Sequence, residues 1–360
     1  MTVRLRIVLD QLVSATDPDL AMASRSLALA LAEAAPGGCG VEAIAPAGWM
    51  PVLPGVDEGR RLPLGRRETA AAWQLGVVAG VGGGMIHSPT LMAPLVRHDR
   101  VHDHDQTVVT LWDLRAWEAP EEMPRAQVIW ERAMLRRAAR YADAVVVPTH
   151  AIAERLASHA ELGERVHVIA GAAPDGFAAP SDAEARRRDL RVGSGYLVMA
   201  GGVAPSDGLA AGLRAAAPTG LDIVIIDVPE GEEAAVTELA AASGVAEQRV
   251  HPRSGLDHGD RAAVLAAAGG FLAPSARGAW PWRVIEAMAM GTPVVATDSD
   301  VHREVVLDGG LVVPEPDLED AVADALGDGR DRLRVLAQDR ARAFSWQGAA
   351  ERVWQVHADL

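Results

Sequence analysis

With 360 residues, 49% hydrophobic and 23% charged, and with 35 Gly and 22 Pro, the chain reads as a soluble globular protein. At roughly 100–200 residues per domain it has length for two domains, and its composition excludes a disordered or fibrous class. A formal net charge of −15 speaks against a nucleic-acid binder, which needs a broad basic footprint.

The N-terminus, MTVRLRIVLDQL, has two arginines but a short β-type apolar run and no small-residue cleavage pattern, so it does not read as a signal peptide. Apolar runs then alternate with amphipathic stretches. They are VRLRIVLD (3–10), a helix over 18–35, GMIHS (84–88), TVVTLWD (107–113), a helix over 124–143, AVVVPT (144–149) and VHVIA (166–170). Val- and Ile-rich strands separated by helices predict βαβ units around a parallel sheet. The small, Pro-punctuated, charged stretch 171–194 predicts a linker. The alternation restarts with YLVMAG (196–201), a helix over 208–217, DIVIIDV (222–228), a helix over 231–243 and RVHP (249–252). It continues with a helix over 258–268, FLAPS (271–275), a helix over 283–290, PVVATD (293–298) and helices over 331–343 and 346–358. The division this predicts is a first domain at 1–170, a linker at 171–194, a second domain at 195–345, and a terminal helix at 346–360 packing back on the first domain. Two doubly wound α/β halves joined by a hinge predict a ligand in the cleft between them, at the carboxyl ends of the strands.

Single Cys39 excludes a disulfide framework and a multi-cysteine metal site, and makes a reducing cytoplasm the expected compartment. No apolar run approaches the roughly 18–20 residues that cross a bilayer. Residues 1–170 carry 17 arginines against 20 acids, and residues 171–360 carry 17 against 29. The near-neutral first half suits an anionic acceptor or at most peripheral membrane contact, without a polybasic segment. There is no lysine and no asparagine, so every cationic role falls to Arg or protonated His.

The segment 271–314 is the most informative. A strand ends at Ser275; a loop carries Arg277, Trp280, Pro281, Trp282 and Arg283; a helix carries Glu286. Such a loop and helix start favour phosphate through backbone N–H groups and the helix dipole. Glu286, one turn inside, is placed to accept both hydroxyls of a ribose, or is simply a solvated first-turn acid. Arg277 and Arg283 flank the loop and suit a phosphate, or pair with surface acids. The tryptophans stack on a sugar or base, or pack between domains. The run from His98 to Asp105 has metal-ligand residue types without a defined geometry, so no metal site is expected. His258 and Asp260 read as helix caps, Cys39 as a small packed residue, and Gly201-Gly202 alone as a tight turn.

The segment EAMAMGTPVVATDSDVHREVVLDGGLVV closely resembles the C-terminal signature of glycosyltransferase family 4, retaining GT-B enzymes that use nucleotide-sugar donors. WDLRAWEAPEE (112–122), YADAVVVPTHAIAERL (141–156), VHVIAGAAPDGF (166–177), YLVMAGGVAPSDGLAAGLRAA (196–216) and RAFSW (342–346) extend the resemblance more weakly over nearly the whole chain. It implies an α/β fold of GT-B type, with two facing Rossmann-like doubly wound parallel-sheet domains and a cleft between them, the N-terminal domain at 1–170 on the acceptor side and the C-terminal domain at 195–345 binding the nucleotide sugar. It also implies sugar transfer with retention from a nucleotide-diphosphate sugar to a glycan or lipid acceptor, in the class of hexosyl transfer and polysaccharide biosynthesis, with no metal and no cofactor. The donor-binding residues it implies are Glu286, Arg277, Arg283, Gly201, Gly202, Ser206, Gly278, Trp280, Arg253 in the base-bordering 249–258 loop, and Glu304. Asp113 is the one catalytic candidate.

Four features depart from the family pattern. Its first glutamate, which contacts the donor sugar, is replaced by Gly278, eight before Glu286. Its Arg-Lys phosphate grip is replaced by Ser206 and Asp207, its loop histidine by Trp112, and its N-terminal glycine pair by Thr16-Asp17-Pro18-Asp19. These departures support an alternative, an inactive pseudo-glycosyltransferase that serves as a binding or scaffolding subunit beside a protein partner.

Overall fold

A computed structural model describes residues 3–78, 80–99 and 104–360. The chain forms two compact units. The first comprises Met1–Gly171, Gly278–Trp280 and Ser345–Leu360, the second Ala172–Arg277 and Pro281–Phe344.

Unit 1 is built on β1 (Val3–Val8), β2 (Cys39–Ala45), β3 (Val56–Arg61), β4 (Met85–Ser88), β5 (Gln106–Thr110), β6 (Ala144–Val147) and β7 (Val166–Val168). They form one sheet in the order β3-β2-β1-β4-β5-β6-β7, every pair parallel. Helices cover a parallel sheet on both faces, so its central strands are apolar throughout; Leu5, Ile7, Val8 and all of β6 are buried. Strand β3, VDEGRR, lies at the edge with no fully buried residue, which is why no apolar run announces it. The residues Thr16–Asp19 open the helix Pro18–Glu33: Asp17 accepts from the N–H groups of Asp19 (2.8 Å) and Leu20 (3.2 Å), with Pro18 in the first turn. The helix Trp346–Asp359 is capped by Ser345 and anchored by Trp354, whose Nε1 donates to the Leu31 carbonyl at 3.0 Å.

Unit 2 repeats the plan with β8 (Leu197–Ala200), β9 (Ile223–Ile226), β10 (Val250–Pro252), β11 (Gly270–Ala273), β12 (Val294–Thr297) and β13 (Leu311–Val313). The order is β10-β9-β8-β11-β12-β13, again parallel throughout. In both sheets the winding direction reverses beside the first strand, and a doubly wound sheet offers its ligand crevice at the carboxyl end of that reversal.

Two boundaries differ from the sequence reading. The stretch 171–194 contains the helix Ala183–Asp189, whose Arg186 pairs with Asp182, Asp257 and Asp260 of unit 2, so most of that stretch is part of unit 2. Conversely Gly278–Trp280 belong to unit 1. Ala279 forms an antiparallel bridge with Asp113, Leu114 N–H donates to the Gly278 carbonyl (3.0 Å) and Trp280 N–H to that of Trp112 (2.9 Å).

In unit 1, His87 of β4 and His357 of the last helix are buried and meet edge to face, ring centroids 5.7 Å apart. His357 Nδ1 lies 3.0 Å from Gln106 Oε1. Burial pushes the His357 imidazole from 6.5 to about 4, against a smaller opposing pull from Asp143, and lowers His87 for the same reason. Between those values the unfolded chain binds a proton that the folded chain refuses, so stability falls as pH drops from 6.5 to about 4. Urea unfolding across that window is expected to lose on the order of 3 kcal/mol through His357, and His357→Gln to flatten the dependence. Equal slopes in the two proteins would contradict the assignment.

Candidate functional site

At the carboxyl edge of unit 2, the loops after neighbouring strands β8 and β11 close on each other. Strand β8 runs into Gly201, at φ +121°, and Gly202. After the one-turn 3-10 helix Pro205–Asp207 comes Gly208 at φ +68°. A Cβ on Gly208 would stand 2.4 Å from the Pro274 carbonyl oxygen, so only glycine admits this approach of backbone to backbone. Ser275 Oγ donates to the Ser206 carbonyl (2.9 Å) and Arg277 Nε donates to Ser206 Oγ (2.7 Å). The same guanidinium pairs with Asp207. Asp207 is 8% exposed, and its second oxygen accepts from Gly202 N–H at 2.8 Å. Its charge is thus turned inward, capping the Gly-rich turn and holding Arg277. Glu232 Oε2 accepts from Val203 N–H at 3.4 Å beside it.

Glu286 lies one turn into the helix Trp282–Ala289 and is 1% exposed. Arg261, from the helix His258–Ala267, grips both of its oxygens, Nε to Oε2 at 3.0 Å and Nη2 to Oε1 at 2.9 Å. Arg283 Nη1 adds a third bond to Oε1 at 3.0 Å and also pairs with Asp227 at the end of β9. Two buried guanidinium groups and two carboxylates therefore balance in one cluster, the fork geometry that makes Arg–carboxylate pairs strong. His258 Nδ1, 2.8 Å from Arg261 Nη2, acts as the acceptor; burial, then the Arg261 charge, lowers its pKa. The helix cap here is Asp257, which accepts from Asp260 N–H, and not His258 or Asp260 as the sequence reading has it.

The structure thus gathers Gly201, Gly202, Ser206 and Arg277 at one turn, and Glu286 with Arg283 in the adjacent cluster. Arg253 is engaged elsewhere: its Nε and Nη2 donate to the Leu190 carbonyl and Nη1 to that of Pro252, tying down the end of the helix Ala183–Asp189. Glu304 lies on the helix Asp300–Val306, its carbonyl accepting from Arg340. Gly278 and Trp280 are in unit 1, Trp280 being 3% exposed. Asp113, also in unit 1, pairs with Arg115 at 3.4 Å. Sequence reading missed Arg261, Asp227 and Glu232, because no spacing ties a side chain to a partner 25 or more positions away.

In the run 98–105, residues 100–103 lie outside the described residues. His98 has acceptors at both ring nitrogens, Val96 O (2.9 Å) and Asp143 Oδ2 (2.8 Å), and its hydrogen bond to Asp143 raises its pKa. Among the described residues no group of three or more His, Cys, Asp or Glu is placed to hold a metal ion, and no helix is long and apolar enough to cross a membrane.

Residues 194–328 match the model of a family described as Glycosyl transferases group 1. A D-inositol 3-phosphate glycosyltransferase of Xylanimonas cellulosilytica is 35% identical over 270 residues, covering 67% of this chain and 62% of that protein. An MMP alpha-(1->4)-mannosyltransferase of Mycolicibacterium hassiacum is 28% identical over 289 residues, 77% and 68%. A phosphatidyl-myo-inositol mannosyltransferase of Mycobacterium leprae is 30% identical over 144 residues, and the chain matches only 38% of its length. Among solved structures, sucrose-phosphate synthase from Thermosynechococcus elongatus superposes with TM-score 0.74 at 19% identity, covering 99% and 98% of the two chains. HepE of Anabaena, in complex with UDP and glucose, gives 0.67 at 18%, covering 99% and 100%. The chain carries a glycosyl transferase group 1 domain at residues 194–328, and its two parallel α/β units have the GT-B fold.

Proposed function

We propose that the chain is a glycosyltransferase that takes a sugar, with retention, from a nucleoside-diphosphate donor whose phosphates rest on the 201–208 turn and Arg277. The acceptor is a glycan or a lipid-linked glycan. The observation that carries this is the anchoring of Arg277, by Ser206 and Asp207, at the carboxyl edge where the unit 2 sheet reverses. In a chain without lysine, a guanidinium held on two partners is the cation suited to a diphosphate: it is planar, always charged and already ordered before the ligand arrives. Charge grows on the departing diphosphate as the glycosidic bond breaks, and a fixed cation stabilises that state more than the ground state. The group 1 domain and the UDP named with HepE support a nucleotide donor. On this reading neither metal nor cofactor takes part.

A second reading, a non-transferring subunit, is favoured by the state of Glu286. Three of the roughly four acceptor positions on its carboxylate are taken by Arg261 and Arg283, and Gly202 and Val203 N–H groups are taken by Asp207 and Glu232. A ribose and a diphosphate must compete with these internal partners.

Calorimetry and thermal shift with UDP, GDP, ADP and their sugars separate the readings. Ligand at 100 times its dissociation constant adds about 2.7 kcal/mol of stability. Arg277→Ala is expected to weaken the bound nucleotide roughly 10- to 100-fold, the loss of one charge-assisted contact. A flat response to millimolar nucleotide overturns the donor reading and leaves the second. Glu286→Ala leaves the buried Arg261 without a carboxylate and Arg283 with Asp227 alone, and is expected to cost about 3–5 kcal/mol in urea unfolding; a loss below about 1 kcal/mol would show that the cluster does not form.

A further inference from the structure

The helix Arg125–Tyr141 of unit 1, RAQVIWERAMLRRAARY, holds five arginines and a single acid, in a chain whose net charge is −15. At 3.6 residues per turn, Arg132, Arg125, Arg136, Arg140 and Arg137 fall within an arc of roughly 140°, with Ile129 near its centre. Glu131 lies on the opposite side, where it accepts from Gln127 Nε2 at 2.8 Å.

The arginines at the two margins of the arc are tied to the backbone of unit 1. Arg132 Nε donates to the Ala116 carbonyl at 2.8 Å, and Arg137 Nη2 donates to that of Leu95. These carbonyls orient the guanidinium groups without cancelling their charge. Arg125, Arg136 and Arg140, between them, are exposed. Among the described residues none of these three pairs with a carboxylate; Arg140 lies over the Tyr141 ring, 5.3 Å from its centroid. Ile129 is 53% exposed in their midst, and Ala126 and Ala133 complete the arc.

Arg125 and Arg140 stand about 22 Å apart along the axis at 1.5 Å per residue, so one small anion cannot reach both. The partner that matches is an extended anionic surface. Ile129 decides which kind. Lipid head groups part to admit an apolar side chain, whereas the phosphates of a nucleic acid or of polyphosphate reward only charge. The rest of an acidic chain is repelled by such a surface, so attraction through one basic face also orients the molecule on it.

We propose that this helix face docks unit 1 on a bilayer surface bearing anionic lipid head groups, with the arginines against the phosphates and Ile129 between them. The contact is peripheral and does not depend on the donor reading above, though it suits the lipid-linked acceptor named there. The sequence shows no polybasic segment because these arginines recur at helical spacing instead of in one run.

The test floats the full chain with vesicles of phosphatidylcholine alone and of phosphatidylcholine mixed with phosphatidylglycerol, at low and high salt, and titrates it with soluble polyphosphate. Binding is expected to the anionic vesicles only, and to weaken steeply with salt, which screens charges beyond about 10 Å at 0.1 M. One basic group near an anionic surface contributes about a fivefold gain, so Arg125→Gln/Arg136→Gln/Arg140→Gln is expected to bind roughly 100-fold more weakly. Arg25→Gln/Arg332→Gln/Arg334→Gln removes the same charge from exposed positions on other helices and is expected to bind like wild type. Ile129→Gln is expected to weaken vesicle binding and leave polyphosphate binding unchanged. All of these side chains are exposed, so the thermal midpoints are expected to match wild type. Wild type that ignores anionic vesicles, or that binds polyphosphate and not vesicles, overturns the proposal. An equal loss in the second triple variant would mark a response to net charge alone and overturns it too, as does an Ile129→Gln protein that holds vesicles as tightly as wild type. Nucleotide binding in solution is read separately, so the donor reading survives any of these results.

Discussion

Asp207 holds together the two loops on which the unit 2 site depends. One oxygen receives Gly202 N–H and the other pairs with Arg277, joining residues 70 positions apart in sequence because β8 and β11 are neighbours in the sheet. The join is possible only because Gly208 lets the first loop lie against the Pro274 carbonyl. An acid at this position looks, from sequence, like a group that repels a diphosphate. Folded, it is buried and its charge is used to fix a guanidinium at the edge where a doubly wound sheet binds ligands.

The same principle governs the adjacent cluster. Burying a carboxylate is costly unless cations and hydrogen bonds surround it, and Glu286 receives both from Arg261 and Arg283. Asp227 then balances the second arginine. Charges at this edge therefore come as internal pairs, each guanidinium already held by a carboxylate.

The parallel βαβ architecture was legible because buried strands such as AVVV (144–147) and IVII (223–226) are unbroken apolar runs. Polar edge strand β3 was not, because an edge strand needs no apolar face. The position of Glu286 on an early helical turn was also legible, but its partners were not. Arg261 lies 25 residues earlier on a helix that reads as an ordinary amphipathic element. Likewise nothing in the chain signals that Glu118, 160 residues away, accepts from Gly278 N–H. Sequence pattern fixes which elements exist; pairings across a sheet edge arise from strand order and become visible only when the loops are placed in space.

The most direct test of the account is a crystal structure of the chain with the nucleotide sugar that stabilises it most. The account requires the diphosphate oxygens to lie within hydrogen-bonding distance of the Arg277 guanidinium at the 201–208 turn, with the Asp207–Arg277 pair intact. A nucleotide bound away from that turn, or a turn left empty under millimolar ligand, would contradict it.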